Sequence, residues 1–324
     1  LCRTTRGNRQ EWEKQRQRLF HGAYLGGSEA AAVLGLVPRR SPSQLMAEKL
    51  GRLESEDVSG ITRVQLGLEL ESFVADEVSK ALGLKVRRRH AIFQCSEHPF
   101  MMASIDRECV GLNAGMEVKT VSSPGITKLY GESGGSTVPR AVKAQCEHYM
   151  EVMGWNWMIV AVLLLNPPEL RHYILPEDSR FRERLISAES RFIDLFNKGE
   201  LPEMDGLEGT GKMLHQLYPS CGTDMQTQAP GHQTMLKKAR SFSAKAKCLA
   251  RRGKAIENRL KLQIGDCKGI EGICKWSRSI ETKMKFDRKS FEQKHPDLLK
   301  EYILPAAAPG LRVSVNPMRP YPLS

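Results

Sequence analysis

The chain has 324 residues, 40% of them hydrophobic and 27% charged, which is enough apolar content for a sizeable core and argues against a disordered or fibrous protein. The longest strongly apolar run, WMIVAVLLL at 157–165, is about half of the ~20 residues that a membrane-spanning helix needs, so no transmembrane helix is expected. Eight scattered cysteines without a CxxC pair argue against a disulfide scaffold or zinc ribbon. No signal-peptide pattern opens the sequence, and reduced thiols in a cytoplasmic setting are expected. The net charge of +12 lies entirely in residues 206–324, which hold 22 basic and 10 acidic residues, whereas residues 1–205 carry 27 of each.

In chain order, residues 10–20 read as a charged helix around Trp12. GGSEAAAVLG follows, with Ser28 as an N-cap, Ala30 to Leu34 as helix formers and Gly35 as the stop. SPSQLMAEKLG repeats that grammar with Ser41 as cap, Pro42 at the first helical position and Gly51 at the end. Residues 61–82 read as a long helix, and residues 85–94, 100–105 and 115–121 as strands. Pro139 starts a helix to about Met153, residues 157–165 suit a buried central strand, and residues 171–175 an adjacent one. An amphipathic helix over 177–197 and the segment 199–204 close the unit. Residues 206–231, rich in Gly, Pro, Ser and Thr, read as a linker. A basic helix over 235–264, a hairpin over 269–280, short helices near Ser290 and Pro296 and a strand over 311–315 complete the reading. Residues 237–261 contain ten basic residues and one acid, Glu257, a density that favours a polyanion site over a merely solvated face.

Three signals carry chemistry. On the helix 61–82, Val64, Leu68, Ala75, Val78 and Leu82 form an apolar stripe whose missing member is Glu71; a carboxylate on that face needs either a basic partner or a metal. In the strand 115–121 alternation puts Glu117 and Lys119 on one face. If the preceding strand, ending at Asp106, pairs with it across residues 107–114, Asp106 comes beside Glu117. Two acids converging near a lysine suit a hard divalent cation, with the lysine orienting or helping to deprotonate a water. Gln145 shares its helix face with Val142, Tyr149 and Val152, so an amide points inward, as a core glutamine or as part of that site. GLEGTGKM at 206–213 fits the start of a Walker A loop, but Met213 replaces the hydroxyl residue that would hold Mg²⁺ and no hydrophobic strand precedes it, so nucleotide binding is rejected.

Taken in order, GGSEAAAVLGL, SPSQLMAEKLG, GLELE, HPFMMASIDRE, GMEVKT and VPRAVKAQCEHYMEVMG resemble the YqaJ-type phage recombination exonucleases, relatives of lambda exonuclease within the PD-(D/E)XK nuclease superfamily, over residues 12–202. The tail, with its basic helix, IGDCKGIEGICKWSRS, KFDRKSFEQKHPDLLKEY and RVSV, is similar to the ends of such proteins. The resemblance implies that Asp106 and Glu117 bind metal with the Val118 carbonyl as a further ligand, that Lys119 stands at the attacking water, and that Glu71 completes the metal site. It implies that Gln145 belongs to the catalytic set and that Ser28 lies near a 5′-phosphate pocket. The family's phosphate-binding arginine precedes that serine by about seven residues; here His21 has that spacing and Arg18 lies ten before. Ile105 stands where the superfamily often has a proline.

The expected fold is therefore α/β, a restriction-endonuclease-like central mixed sheet flanked by helices over residues 1–205, with a basic, mainly helical C-terminal extension over 206–324 in which Lys245, Arg252 and Arg259 line one face toward DNA. The expected activity is a Mg²⁺-dependent exonuclease, with Mn²⁺ as substitute, that digests one strand of duplex DNA from the 5′ end and leaves a 3′ single strand for recombination. The resemblance also implies a homotrimer acting on double-stranded DNA ends with a single-strand annealing protein, away from membranes. Two alternatives stay open: a restriction-like endonuclease or resolvase built on the same acids, and a non-catalytic DNA-binding protein that relies on its basic helix.

Overall fold

The computed structural model describes residues 2–3, 23–56, 58, 60–219, 229–276, 288–295 and 297. Arg18, His21, the helix expected at 10–20, the short helix expected near Pro296 and the strand expected at 311–315 lie outside the described residues. The chain divides into two compact units, Leu1–Asp224 and Met225–Ser324.

The first unit begins with β1 (Cys2–Arg3), β2 (Leu25–Gly26), α1 (Gly27–Val33), α2 (Pro42–Lys49) and the long α3 (Thr62–Leu82). β3 (Val86–Arg87), β4 (Ala91–Gln94), β5 (Met101–Ala103), β6 (Arg107–Cys109) and β7 (Ala114–Val121) follow, then the short α4 (Pro124–Thr127), α5 (Arg140–Met153), β8 (Trp157–Leu165), β9 (Pro168–Pro176), α6 (Ser179–Lys198) and α7 (Glu208–Leu217). Five strands form the central sheet in the order β3-β6-β7-β8-β9. β7 and β8 run parallel and their other neighbours antiparallel, so the sheet is mixed. A second sheet has the order β1-β4-β5-β2.

The layers follow from side-chain alternation. Met116 of β7 with Ile159 and Ala161 of β8 pack under Val74, Ala75 and Val78 of α3. Val160 and Val162, one residue out of phase, pack against Cys146, Tyr149 and Met150 of α5 on the opposite face. Covered on both sides, β8 reads as an unbroken apolar run, as interior strands between two helical layers do. The architecture is the expected mixed sheet between helices. α1 lies so close to α5 that a Cβ on Gly27 would meet the Tyr149 ring, which leaves room there only for glycine.

Several local expectations change. The strand 100–105 is expected to pair with β7; instead β5 pairs with β4 and β2, and β6 makes the hairpin with β7, pairing Arg107 with Met116 and Glu108 with Gly115. The reason is that Arg107 and Cys109 continue an inward alternation, with Cys109 fully buried, and only the short turn around Gly111 reverses the chain. In α3 the core begins at Val74; Leu68 is 59% exposed and Leu66 and Phe73 also face solvent, so the first half of the expected stripe is not core. Ser28 is not the N-cap. Gly26 takes that position, its N–H donating to Glu29 Oε2 at 2.9 Å, and Ser28 is an exposed residue of the first turn of α1. Ser41 does cap α2, accepting from the Gln44 N–H at 3.1 Å.

The segment read as a linker from residue 206 contains α7, which falls inside the first unit. Its small residues let it seat on the start of α2: a Cβ on Gly209 would lie 2.6 Å from the Ser41 amide nitrogen, and Met213 is fully buried. The discarded Walker-like string is thus a packed helix.

In the second unit, the basic helix α8 (His232–Ile264) is followed by the antiparallel pair β10 (Gly269–Ile270) and β11 (Cys274–Lys275), and by α9 (Arg288–Lys294). Among the described residues no helix is long and apolar enough to cross a membrane.

Candidate active site

The β6–β7 hairpin sets the site. The pairing of Arg107 with Met116 extends, one step outward, to Asp106 opposite Glu117, the juxtaposition expected from the sequence. Asp106 lies at the end of the strand rather than on either face, and its Oδ2 accepts the Val118 N–H at 2.8 Å. In a strand the N–H and carbonyl of one residue point to the same side, so the Val118 carbonyl also faces this edge.

Glu117 and Lys119 project toward α5. Lys119 Nζ donates to Glu117 Oε1 at 2.6 Å and to Gln145 Oε1 at 2.9 Å, while Gln145 Nε2 donates to Glu117 Oε1 at 2.7 Å and to the Tyr149 hydroxyl at 3.1 Å. The amide of Gln145 is therefore a clamp: its oxygen fixes the lysine and its nitrogen fixes the acid. Glu117 is 3% exposed, and its second oxygen, Oε2, is buried with no hydrogen-bond partner. A buried carboxylate oxygen without a donor is costly unless a cation takes it.

The electrostatics agree. Burial first, then the charges of Glu117 and Glu71, hold the Asp106 carboxyl well above the usual carboxylate range, against the opposing Val118 N–H and Lys119 ammonium. For Lys119 burial pulls downward, but the Glu117 carboxylate, its hydrogen bond and Asp106 outweigh it and the lysine is raised. Held by Glu117 and Gln145, its Nζ is placed to meet a water beside the acids. The site gathers more negative charge than its own lysine offsets, and every free donor atom is oxygen. That donor set fits a hard divalent cation.

Glu71 has the basic partner that is one of its two expected readings. It comes from α3, on the opposite face of the sheet from Glu117, and its Oε1 accepts from Arg107 Nη1 at 2.7 Å with Arg88 Nη2 at 3.3 Å. Its oxygens and those of Asp106 and Glu117 do not all gather within 4.8 Å; among the described residues the ligating atoms that do are those of Glu97, His98 and Glu151. That group is a surface one, with Glu97 exposed and Glu151 also 3.8 Å from Arg182. Sequence reasoning misses Arg107. It is 5% exposed and binds Glu71, Ser72 Oγ at 3.1 Å and the Asp106 carbonyl at 2.8 Å, so it ties α3 to the site. The signal is present: in a strand that puts Asp106 at its edge, the next residue must point to the Glu71 side.

Ser28 lies one residue beyond Gly27, which abuts the Tyr149 ring, and Tyr149 touches Gln145. The first turn of α1 is thereby linked to the acids through two side chains. Lys245, Arg252 and Arg259 lie along α8 in the second unit, all exposed.

The family described as the YqaJ-like viral recombinase domain matches residues 11–156. The chain is 24% identical over 305 residues to the uncharacterized protein YqaJ of Bacillus subtilis strain 168, covering 92% of both chains. Among solved structures it is similar to an alkaline exonuclease from Laribacter hongkongensis, at 14% identity and a TM-score of 0.45, covering 56% of this chain and 93% of that one. A phage-related exonuclease from Haemophilus somnus 129PT is similar at 12% identity and a TM-score of 0.41, over 54% of this chain and 95% of that one.

Proposed function

We propose that this chain, whose residues 11–156 match the YqaJ-like viral recombinase domain, is a metal-dependent exonuclease that digests one strand of duplex DNA from its 5′ end. The observation that carries this reading is the buried Glu117 Oε2 without a partner, beside Asp106 and with Lys119 held by Gln145.

Glu117 Oε2, Asp106 and the Val118 carbonyl are the groups that would hold Mg²⁺ or Mn²⁺. Such a cation, when bound, polarises the scissile phosphate and stabilises the leaving oxygen. Lys119, fixed between Glu117 and Gln145, orients the attacking water by donating to it. Gln145 keeps that ammonium from turning away. Glu71 acts through Arg107 in this arrangement, its charge adding to the pull on a cation near Asp106. Ser28, with an exposed hydroxyl on the α1 turn that abuts Tyr149, receives the terminal 5′-phosphate, together with Arg18. Lys245, Arg252 and Arg259 contact duplex phosphates and add affinity without base preference. A trimer around DNA and delivery of the 3′ strand to an annealing protein complete the proposal by family likeness.

One assay tests the reading: linear duplex with and without a 5′-phosphate, and a covalently closed circle, each with Mg²⁺ or EDTA. Digestion of the linear phosphorylated duplex alone, abolished by EDTA, is expected. Cutting of the closed circle would make the protein an endonuclease, and full activity in EDTA would remove the metal.

A further inference from the structure

Along α8 runs a pattern that the proposed reaction does not use. Met235, Phe242, Leu249 and Ile256 recur every seven residues, and each is 59–66% exposed. Ala239, Ala246, Gly253 and Leu260 fall four residues after each of them, so the eight alternate at spacings of four and three along one stripe. That is the spacing of a coiled-coil seam. Singly scattered surface hydrophobes need no explanation, but four large ones in strict heptad register do. Gly253 adds a second sign. It sits in the middle of a 33-residue helix, where glycine costs about 1 kcal/mol relative to alanine, and open space lies where its Cβ would project. Small residues alternating with large ones on one stripe let a second helix approach closely and set its own large side chains over Ala239, Ala246 and Gly253.

Charge identifies that helix. Directly beside the seam, Lys238, Lys245, Arg252 and Arg259 form an unbroken basic row, and Lys245 Nζ lies 5.8 Å from the centre of the Phe242 ring. The other flank is Leu236, Ser243, Ala250 and Glu257. Two copies packed antiparallel would set the basic row against itself. Packed parallel, the row would meet Ser243, Ala250 and Glu257, a single attraction in three heptads. A partner with carboxylates on its flanks meets every cation with an opposite charge.

We propose that α8 is the docking surface for an acidic amphipathic α-helix of another protein, its apolar side chains interleaving with Met235, Phe242, Leu249 and Ile256 and its carboxylates facing Lys238, Lys245, Arg252 and Arg259. Since Lys245, Arg252 and Arg259 are also the residues assigned to phosphates above, the docked helix and the duplex exclude each other along that row. The docking itself stands independently of the nuclease reading.

The test titrates the full chain with a fluorescent peptide of about 30 residues carrying Leu at the seam positions and Glu on both flanks. Controls carry the same seam with Lys flanks, or the Glu flanks with Ser in the seam. The first peptide is expected to bind at least about tenfold more tightly than either control, a difference of roughly 1.4 kcal/mol. The double variant Phe242→Gln/Leu249→Gln is expected to lose that affinity while keeping its helical circular dichroism, its duplex affinity and its salt slope. If the variant loses helicity, the comparison of the three peptides on the unaltered chain decides. Equal binding of the Glu- and Lys-flanked peptides overturns the proposal, as does unchanged peptide binding by a folded double variant. Parallel loss of duplex affinity would make the stripe a nucleic-acid surface. Self-association of the chain that the double variant abolishes would make a second copy the occupant.

Discussion

Around Asp106 and Glu117 each cation has a carboxylate inside the same unit: Lys119 meets Glu117, Arg107 meets Glu71, and the unanswered atom is an acid oxygen. Along α8 the balance is inverted, for ten basic residues share Glu257, which pairs with Lys254 at 2.8 Å, and the exposed cations carry the excess. One region is short of a cation at a buried point, and the other is short of anions over a long exposed face. A buried deficit of one charge selects an ion, whereas a surface excess selects a polyanion or an acidic protein. The first is worth several kcal/mol at one place; the second is a sum of small, salt-screened terms.

The sharpest way to break that contrast is Glu117→Gln. It keeps shape and hydrogen bonding but removes the anion, so turnover on linear duplex should fall on the order of a thousandfold, several kcal/mol of transition-state stabilisation, with DNA affinity unchanged. Retention of most of the rate would place the metal elsewhere. Next comes Arg107→Met, which leaves the largely covered Glu71 with only the half-exposed Arg88 beside it; a loss of about 3 kcal/mol in urea unfolding is expected. Adding Glu71→Gln should restore part of that loss, and no recovery would mean the pair is not what Arg107 supports.

Neutralising Lys245, Arg252 and Arg259 together addresses the other region. The slope of log affinity for duplex against log salt should flatten by about one unit for each phosphate no longer neutralised, on every sequence alike. An unchanged slope would move the DNA path off α8.

A smaller effect concerns His148, fully buried, with Nδ1 at 2.9 Å from Glu189 Oε1 and Nε2 at 2.9 Å from the Met102 carbonyl. Nε2 must donate to that carbonyl, which leaves Nδ1 facing Glu189. Burial opposes charging of the ring, but Glu189 and the carbonyl outweigh it and His148 is raised above 6.5. A raised histidine contributes stability that is fully present below pH 6.5 and is lost as pH climbs through its folded-state value. Unfolding midpoints should fall over that alkaline range in the natural chain and stay flat in His148→Gln; parallel curves would refute the assignment. The least effect on stability is expected from Ser28→Ala, within about 0.5 kcal/mol because Gly26 holds the cap position, while digestion of 5′-phosphorylated ends should slow selectively. Equal slowing on hydroxyl ends would remove Ser28 from the phosphate.

Much of this arrangement is legible in the sequence because two signals are local. The run 157–165 is β8 residue for residue, since burial on both faces leaves no polar interruption, and the two-residue period of β7 puts Glu117 and Lys119 together. Gln145 can be read from its helix face in the same way. What escapes is non-local or masked by composition. No pattern within 100–121 tells which of two short strands pairs with β7, because each is only three residues long. α7 looks like a linker because the glycine that lets it seat on α2 is also a turn residue. Glu71 reads as inward-facing, but its partner Arg107 lies 36 residues away, and only the fold brings them together. On α8 the density of lysine and arginine hides a heptad that the spacing already contains.

The double burial of β8 has a further consequence for the chain as it is made. Nine apolar residues without a charge form the type of segment that adds onto copies of itself when left unpaired, and nothing within it acts as a gatekeeper. The order of synthesis limits that hazard. β7 has emerged before β8 and can receive it as a parallel neighbour, and β9 follows after a two-residue turn, so the antiparallel edge is covered almost as soon as it appears. Changes that lengthen the 166–167 turn or weaken β7 should therefore show first as insoluble product at high expression, before any loss of cleavage by the soluble fraction.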